Sequence, residues 1–403
     1  MKKIRKMILL IVVILLTLSA SIYVFAPHPP TTPKQVKNVA ELESYLNQLI
    51  ESGNPPGLSV VVVKNGIIVY NRAFGYADAP RGITATPDTV YHWWSMTKIP
   101  TAMAIMQLQE QGKLNLDDSV IKYLPWFQVN YPSSSSRVIT IRDLMQHSSG
   151  LPDTMPAMIG WVHYDDATRN QTEIVKKHLA EFNTLKFEPG SQAVYSNFNY
   201  MVLGALIELV SGQPYEAYIA NNILRPLGMS QTSFVYTPTM VEHAAAGKLP
   251  IVHLYTPLLP ILLNANALVR ERQGKLLWFN RVYIDATPST GLIGSAPDVA
   301  RLMMAYLNHG ILDGKRILSP ESISTLTQTS PIDGHGLGWF VRDSNGARFL
   351  EHAGGGPGFA TMMRLYPERG LGIALLANGT DLDGQGIIEL LPTPFEKDVN
   401  YTK

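Results

Sequence analysis

The sequence predicts an α/β fold: one antiparallel sheet of about five strands, built from N- and C-terminal segments and flanked by helices, with a mostly helical subdomain inserted between them. Strand-like runs cluster at the two ends, as "LSVVVVKNGIIVYNRAF" near the start and "FATMMRLYPERGLGIALLANG" near the finish. Between them, roughly over 95–285, the apolar spacing suits helices joined by long loops. No repeat of about 20–50 residues appears. Closing one sheet from both ends covers each strand economically, and the cleft between sheet and insertion is the natural place for chemistry.

The elements follow in order. Lys2, Lys3, Arg5 and Lys6 precede Met7–Ala26, which carries no charge. A span of about 20 apolar residues crosses a bilayer, and a basic flank stays cytoplasmic. Residues 1–26 are therefore expected to anchor an exported protein. A cleaved signal peptide, with Val24 and Ala26 before the cut, is the alternative. Residues 27–37, beginning "PHPPTTPK", form a proline-rich linker ahead of a domain over 38–403. Leu42, Tyr45, Leu46 and Leu49 make a helical stripe. Asn65-Gly66 between two apolar runs signals a hairpin. Thr140 with Asp143, and Ser295 with Asp298, read as capping boxes, and Ser319-Pro320 as a helix start. The final strands are "GLGWFVRD", "ARFLEHAG" and a pair folding back at Pro367–Gly370.

Composition narrows the functional classes. The chain has 403 residues, 46% hydrophobic and 16% charged, enough for an ample core. Lys and Arg number 33 against 32 Asp and Glu, so no basic field points to nucleic acid. There is no cysteine, which removes disulfides, thiolate metal sites and a Cys nucleophile.

The chemistry begins at "WWSMTK", Trp93–Lys98. Ser95 and Lys98 are three residues apart and share a helical face. A serine hydroxyl needs a neighbouring base, and an amine serves if burial lowers its pKa. The bland reading is a capping Ser followed by a solvated Lys. Ser119 and Lys122 have the same spacing, but Asp117 and Asp118 beside them suit a solvated first turn and a charged lysine. Trp93 and Trp94 would dry the surroundings of Ser95. Tyr195 and Asn197 lie in "YSNFNY" ahead of the apolar helix "YMVLGALIELV", and His352, Gly354 and Gly355 lie in "EHAGGGPGF" at a strand end. Singly, these could be a packed aromatic, a helix cap and a loose turn.

In this order, Ser95-Met96-Thr97-Lys98, Tyr195-Ser196-Asn197 and His352-Ala353-Gly354 resemble the serine β-lactamase and penicillin-binding protein superfamily. They are most similar to the branch of class C β-lactamases, D-alanyl-D-alanine carboxypeptidases and related esterases. "ITIRDLMQHSSGL", "FEPGSQAVYSN", "ILRPLGMSQTSF", "GLIGSAPDVARLM" and "GLGWF" extend the likeness over roughly Val39 to Thr380. The resemblance implies a β-lactamase/transpeptidase-like fold and an acyl-enzyme on Ser95. It implies Lys98 assisting deprotonation, Tyr195 as a base with its pKa lowered by the cation, and Asn197 positioning Lys98 and substrate. Backbone N–H groups of Ser95 and Gly355 would form an oxyanion hole. The expected partner is a small-molecule or peptide substrate, with the membrane reached through the N-terminal segment; no cofactor, metal or nucleic acid is expected.

Three departures bear on substrate. Ala353 replaces a hydroxyl residue that grips substrate carboxylate in this branch, His352 stands as the residual cation where Lys is usual, and Pro100 lies just inside the catalytic helix, where it would remove a backbone bond. An ester or amide is therefore favoured over a D-alanyl-D-alanine peptide or β-lactam. A non-catalytic peptidoglycan-binding receptor is the alternative from another class. No Gly-x-Ser-x-Gly elbow and no His-Glu-x-x-His occur, and "DLDG" at Asp381 is too short for a calcium loop. His147, in "QHSSGLP", reads as a helix end before a turn. Leu249–Leu268 is expected to be core or cleft wall, with a membrane-dipping or acyl-receiving lip as the sharper reading.

Overall fold

A computed structural model describes residues 30–132, 137–153, 162–251, 253, 256, 259, 264–330, 332, 335–344 and 346–396. Gly57–Lys64 (β1) is an unalternating apolar run, and all of it except Lys64 is buried. Such a strand needs cover on both faces. Val60 and Val62 pack in the cluster holding Leu42, Leu46 and Leu49 of Val39–Glu51 (α1), so the expected stripe faces the sheet. Val61 and Val63 point the other way, into the larger core.

Asn65 and Gly66, at φ 50° and 79°, turn β1 into Ile67–Asp78 (β2). Both central residues are left-handed, the twist a tight hairpin requires. Ile83–Thr84 (β3) then makes a short edge. Phe340–Ser344 (β4), Ala347–Gly356 (β5), Phe359–Tyr366 (β6) and Leu371–Ala377 (β7) supply the remainder. The sheet runs β4-β5-β6-β7-β1-β2-β3, seven strands rather than about five. The excess lies at the edges, where β3 is too short to show periodicity. The two ends of the chain meet at β1 and β7, with Val60 opposite Leu375.

Across the larger core lie Lys98–Glu110 (α2), Ile141–Met145 (α3), Asn197–Ser211 (α4) and Ala296–Leu307 (α5). α2 is buried on every side from Lys98 to Leu108, which explains its lack of a polar stripe. Pro100 is the third residue of α2, in its first turn, where proline is tolerated best.

The capping expectations divide. Thr140 and Asp143 form a reciprocal capping box, and Ser319 caps Pro320–Thr327 (α6) through Ser322 N. Ser295 precedes α5 but makes no capping bond. Asp298 is instead drawn to Gln231 N and Thr232 Oγ1, each at 2.8 Å. A tertiary pair of donors outcompetes the local box. Ser119 stands before its helix without a side-chain cap bond.

The expected anchor over 1–26 lies outside the described residues; among those described, no helix is long and apolar enough to cross a membrane. Much of Leu249–Leu268 also lies outside them. Leu249, Leu259 and Leu268 are buried with Phe279 and Val282, as core.

Candidate active site

Trp94–Thr97 is a 3₁₀ turn leading straight into α2, and it carries Ser95. The approach is tightly built. Trp94 adopts φ 48°, a left-handed conformation rare for a bulky residue. β5 crosses against this turn: a Cβ at Gly354 would lie 2.0 Å from Trp93 O, and one at Gly356 would lie 2.4 Å from the Trp94 indole. Thr361 Oγ1 donates to Trp93 O at 2.9 Å and ties in β6. The glycines of the third motif thus allow two backbones to meet. Gly355 differs, with nothing within 4 Å of a Cβ built there.

Lys98 is wholly buried. Its Nζ donates to Asn197 Oδ1 at 2.8 Å, Ser289 O at 3.0 Å and Ser95 Oγ at 3.3 Å. It also lies over the rings of Tyr195 and Tyr200, at 4.9 and 5.5 Å from their centroids. Burial drives the amine well below its ordinary pKa, with Asp153 pulling partly back. Three neutral acceptors and, among the described residues, no carboxylate in contact leave this lysine easily deprotonated.

Tyr195 Oη donates to Ser95 Oγ at 2.9 Å. The expected lowering of its pKa by a cation is overturned: burial pushes the phenol up, and the Ser95 hydrogen bond only partly offsets this. The basic group beside Ser95 is therefore Lys98. Asn197 opens α4, its Oδ1 on Lys98 while its Nδ2 and backbone N both donate to Asp153 Oδ1 at 3.3 Å. A carboxylate at a helix N-terminus is favourably placed.

His352 is also corrected. It is buried and its Nδ1 donates to Ala353 O at 2.8 Å. Burial, then Lys98, depress its pKa to about 3, so the ring is neutral and no cation. Tyr195, His352 and Ala353 share a cleft of about 310 Å³ with Phe340, Arg342, Glu351 and Gln385. Arg342 lies 3.6 Å from Glu351, whose carboxylate is held more closely by Arg364 at 2.7 Å.

The structure thus brings Ser95, Lys98, Tyr195 and Asn197 into hydrogen-bonded contact and sets His352 and Ala353 beside them. Ser119 and Lys122 form no such site: Lys122 pairs with Asp118 at 2.9 Å and stays exposed. Sequence reasoning missed Asp153, Ser289, Arg342 and the part taken by His147. Asp153 and Arg342 are lone charges without spacing signals. Ser289 acts through its carbonyl, which no side chain advertises. His147 was visible only as a helix end, which it is, at φ 62° after α3. Among the described residues, no group of three His, Asp or Glu side chains is arranged to hold a metal ion.

A serine hydroxyl held between a buried amine and a phenol, at the junction of an antiparallel sheet and a helical insertion, defines a serine hydrolase of β-lactamase/transpeptidase fold. The chain belongs to the Beta-lactamase family, whose model matches residues 42–389. It is 29% identical over 365 residues to Protein flp of Staphylococcus aureus, covering 90% of this chain and 67% of that protein. It is 31% identical over 330 residues to Penicillin-binding protein 4* of Bacillus subtilis, covering 79% of this chain and 67% of that one. The D-amino acid amidase of Ochrobactrum anthropi SV3 shares the fold, with TM-score 0.68 at 21% identity over 88% of this chain and 96% of that one.

Proposed function

We propose that the protein hydrolyses an ester or amide through an acyl-enzyme on Ser95, at the outer face of a membrane. The observation that carries the reaction is the buried Lys98 amine, 3.3 Å from Ser95 Oγ and, among the described residues, without a contacting carboxylate. Ser95 Oγ attacks the carbonyl carbon while its proton passes to the neutral Lys98 amine. The tetrahedral oxyanion is stabilised by backbone N–H groups of Ser95 and Gly355; one such donor is worth about 3 kcal/mol. As the carbon–leaving-group bond breaks, the Tyr195 phenol, which holds its proton, relays one to the leaving atom and is replenished from Lys98. Water then adds to the acyl carbon by the same proton route and frees Ser95.

An uncharged group beside the scissile bond fits this cleft, because His352 is neutral and Ala353 offers no hydroxyl. Arg342 favours a second reading, in which a carboxylate-bearing peptide or β-lactam is held from the cleft wall. Penicillin binding by the named Bacillus relative agrees with the second reading. Export rests on the pattern of residues 1–26, and protease treatment of intact cells tests it: a protected domain would refute it. Covalent labelling tests the site. A fluorophosphonate or fluorescent penicillin should mark Ser95 alone, and label retained in Ser95→Ala would overturn the assignment.

A further inference from the structure

His147 grips the chain on both sides of Tyr195. Its carbonyl accepts from Val194 N at 2.9 Å, and its Nδ1 accepts from Ser196 N at 3.2 Å. Between those bonds its imidazole packs on the Tyr195 ring, with centroids 4.5 Å apart and planes at 36°. A backbone N–H only donates, so Nδ1 must present a lone pair and the ring proton must sit on Nε2. Asn199 Nδ2 lies 3.2 Å from the same nitrogen. Ser149 Oγ donates to Asn199 Oδ1 at 2.6 Å, which orients the amide and leaves its NH₂ end for His147. The surroundings keep the imidazole neutral: burial first, then Lys98, His335 and His352, depress its pKa well below the ordinary value. The left-handed backbone at His147 adds a local strain that persists only where neighbours over-determine it.

We propose that His147 is a positioning residue for the reaction at Ser95: a neutral imidazole that clamps Val194–Ser196, seats the Tyr195 phenol and so sets its reach to Ser95 Oγ. This rests on the reading of Ser95 as nucleophile and Tyr195 as proton relay. A side chain that merely fills core would lower stability without singling out the reaction. A positioning side chain acts only through Tyr195, and a displacement of roughly 1 Å in such a group is worth about 100-fold in rate.

The experiment places His147→Asn and His147→Gly in the full chain, with and without Tyr195→Phe, and follows hydrolysis of a short-chain p-nitrophenyl ester. Asn and Gly both tolerate the left-handed backbone. Asn offers an acceptor near the place of Nδ1, and Gly offers none. His147→Gly should lower kcat about 100-fold with little change in KM, and His147→Asn should restore most of it. In the Tyr195→Phe background the glycine change should add almost nothing, because residues acting through one another are non-additive. A wild-type kcat in folded His147→Gly, or a loss that multiplies fully onto that of Tyr195→Phe, would overturn the proposal. Nitrogen-15 NMR of histidine-labelled wild-type protein decides even where the glycine variant does not fold: an unprotonated Nδ1 supports the clamp, and a protonated Nδ1 at neutral pH refutes it. Activity surviving in Ser95→Ala would instead remove the underlying reading of the site.

Discussion

Gly354 passes so close to Trp93 that a single added Cβ would sit 2.0 Å from the Trp93 carbonyl oxygen. The strand of the third motif is thereby keyed to the turn that presents Ser95. Gly354→Ala must push the two apart, and the ester rate should fall by about 100-fold, the scale for a shift of roughly 1 Å. Gly355→Ala meets open space and keeps its backbone N–H, so its melting temperature should match wild type. Equal behaviour of the two variants would show that β5 is not keyed in this way.

Lys98→Ala and Tyr195→Phe should each slow acylation by about 10²–10⁴-fold, the range for positioned proton-transfer groups. Stopped-flow labelling of Ser95 reads this directly. A Tyr195→Phe enzyme acylating at the wild-type rate would leave Lys98 acting alone.

The pH profile separates the two groups. Lys98 must be neutral to accept the Ser95 proton, so kcat/KM should fall as pH drops through its depressed pKa. The Tyr195 phenol is displaced upward and stays protonated across the same range. The acid limb should therefore survive in Tyr195→Phe at reduced height. An acid limb that vanishes with the phenol would assign it to Tyr195.

Substrate preference turns on Ala353 and Arg342. Wild-type kcat/KM should be higher for a short-chain p-nitrophenyl ester than for nitrocefin or a D-alanyl-D-alanine peptide. Ala353→Thr should raise the two carboxylate-bearing substrates selectively, by about 10- to 150-fold, since a hydrogen bond to a charged group is worth about 1.5–3 kcal/mol. If nitrocefin wins in wild type and Arg342→Gln abolishes that lead, the cleft-wall cation is the carboxylate grip.

Lys248, away from Ser95, carries a stability prediction. It is fully buried, its Nζ donating to Asn54 Oδ1 at 2.8 Å. Burial lowers its pKa to about 8, with Asp381 partly opposing. Between that value and the ordinary 10.5 the unfolded chain binds the extra proton, so this group's contribution to unfolding free energy rises with pH across that window. The full swing is of order 3 kcal/mol. Lys248→Met should lack the rise in denaturant titrations from pH 7.5 to 10. Parallel curves for the two proteins would show that the lysine stays charged.

Legibility tracked how local each cause was. Asn65-Gly66 announced its hairpin because two consecutive left-handed residues are written in the residue types themselves. The stripe of α1 and the box at Thr140 are equally local. The box at Ser295 failed because Thr232 and Gln231, remote in sequence, claim the Asp298 carboxylate. Ser95 and Lys98 were legible as a pair, yet the charge states around them were not. Whether His352 is a cation, or which of Lys98 and Tyr195 gives up its proton more readily, depends on burial supplied by the whole fold. The Ser289 carbonyl, in the one-turn helix Thr287–Thr290, and the Asp153 carboxylate, on a loop, complete the site from segments too short to carry a pattern.

The pairing of Val60 with Leu375 joins segments near opposite ends of the chain. Closing so long a loop defers the central strand pair until nearly everything between has been synthesised. A ribosome-bound chain that has not yet delivered Leu371–Ala377 leaves β1 with one edge unpaired and β6 without one of its two neighbours. The sheet that backs the turn carrying Ser95 is thus completed only when synthesis is almost finished.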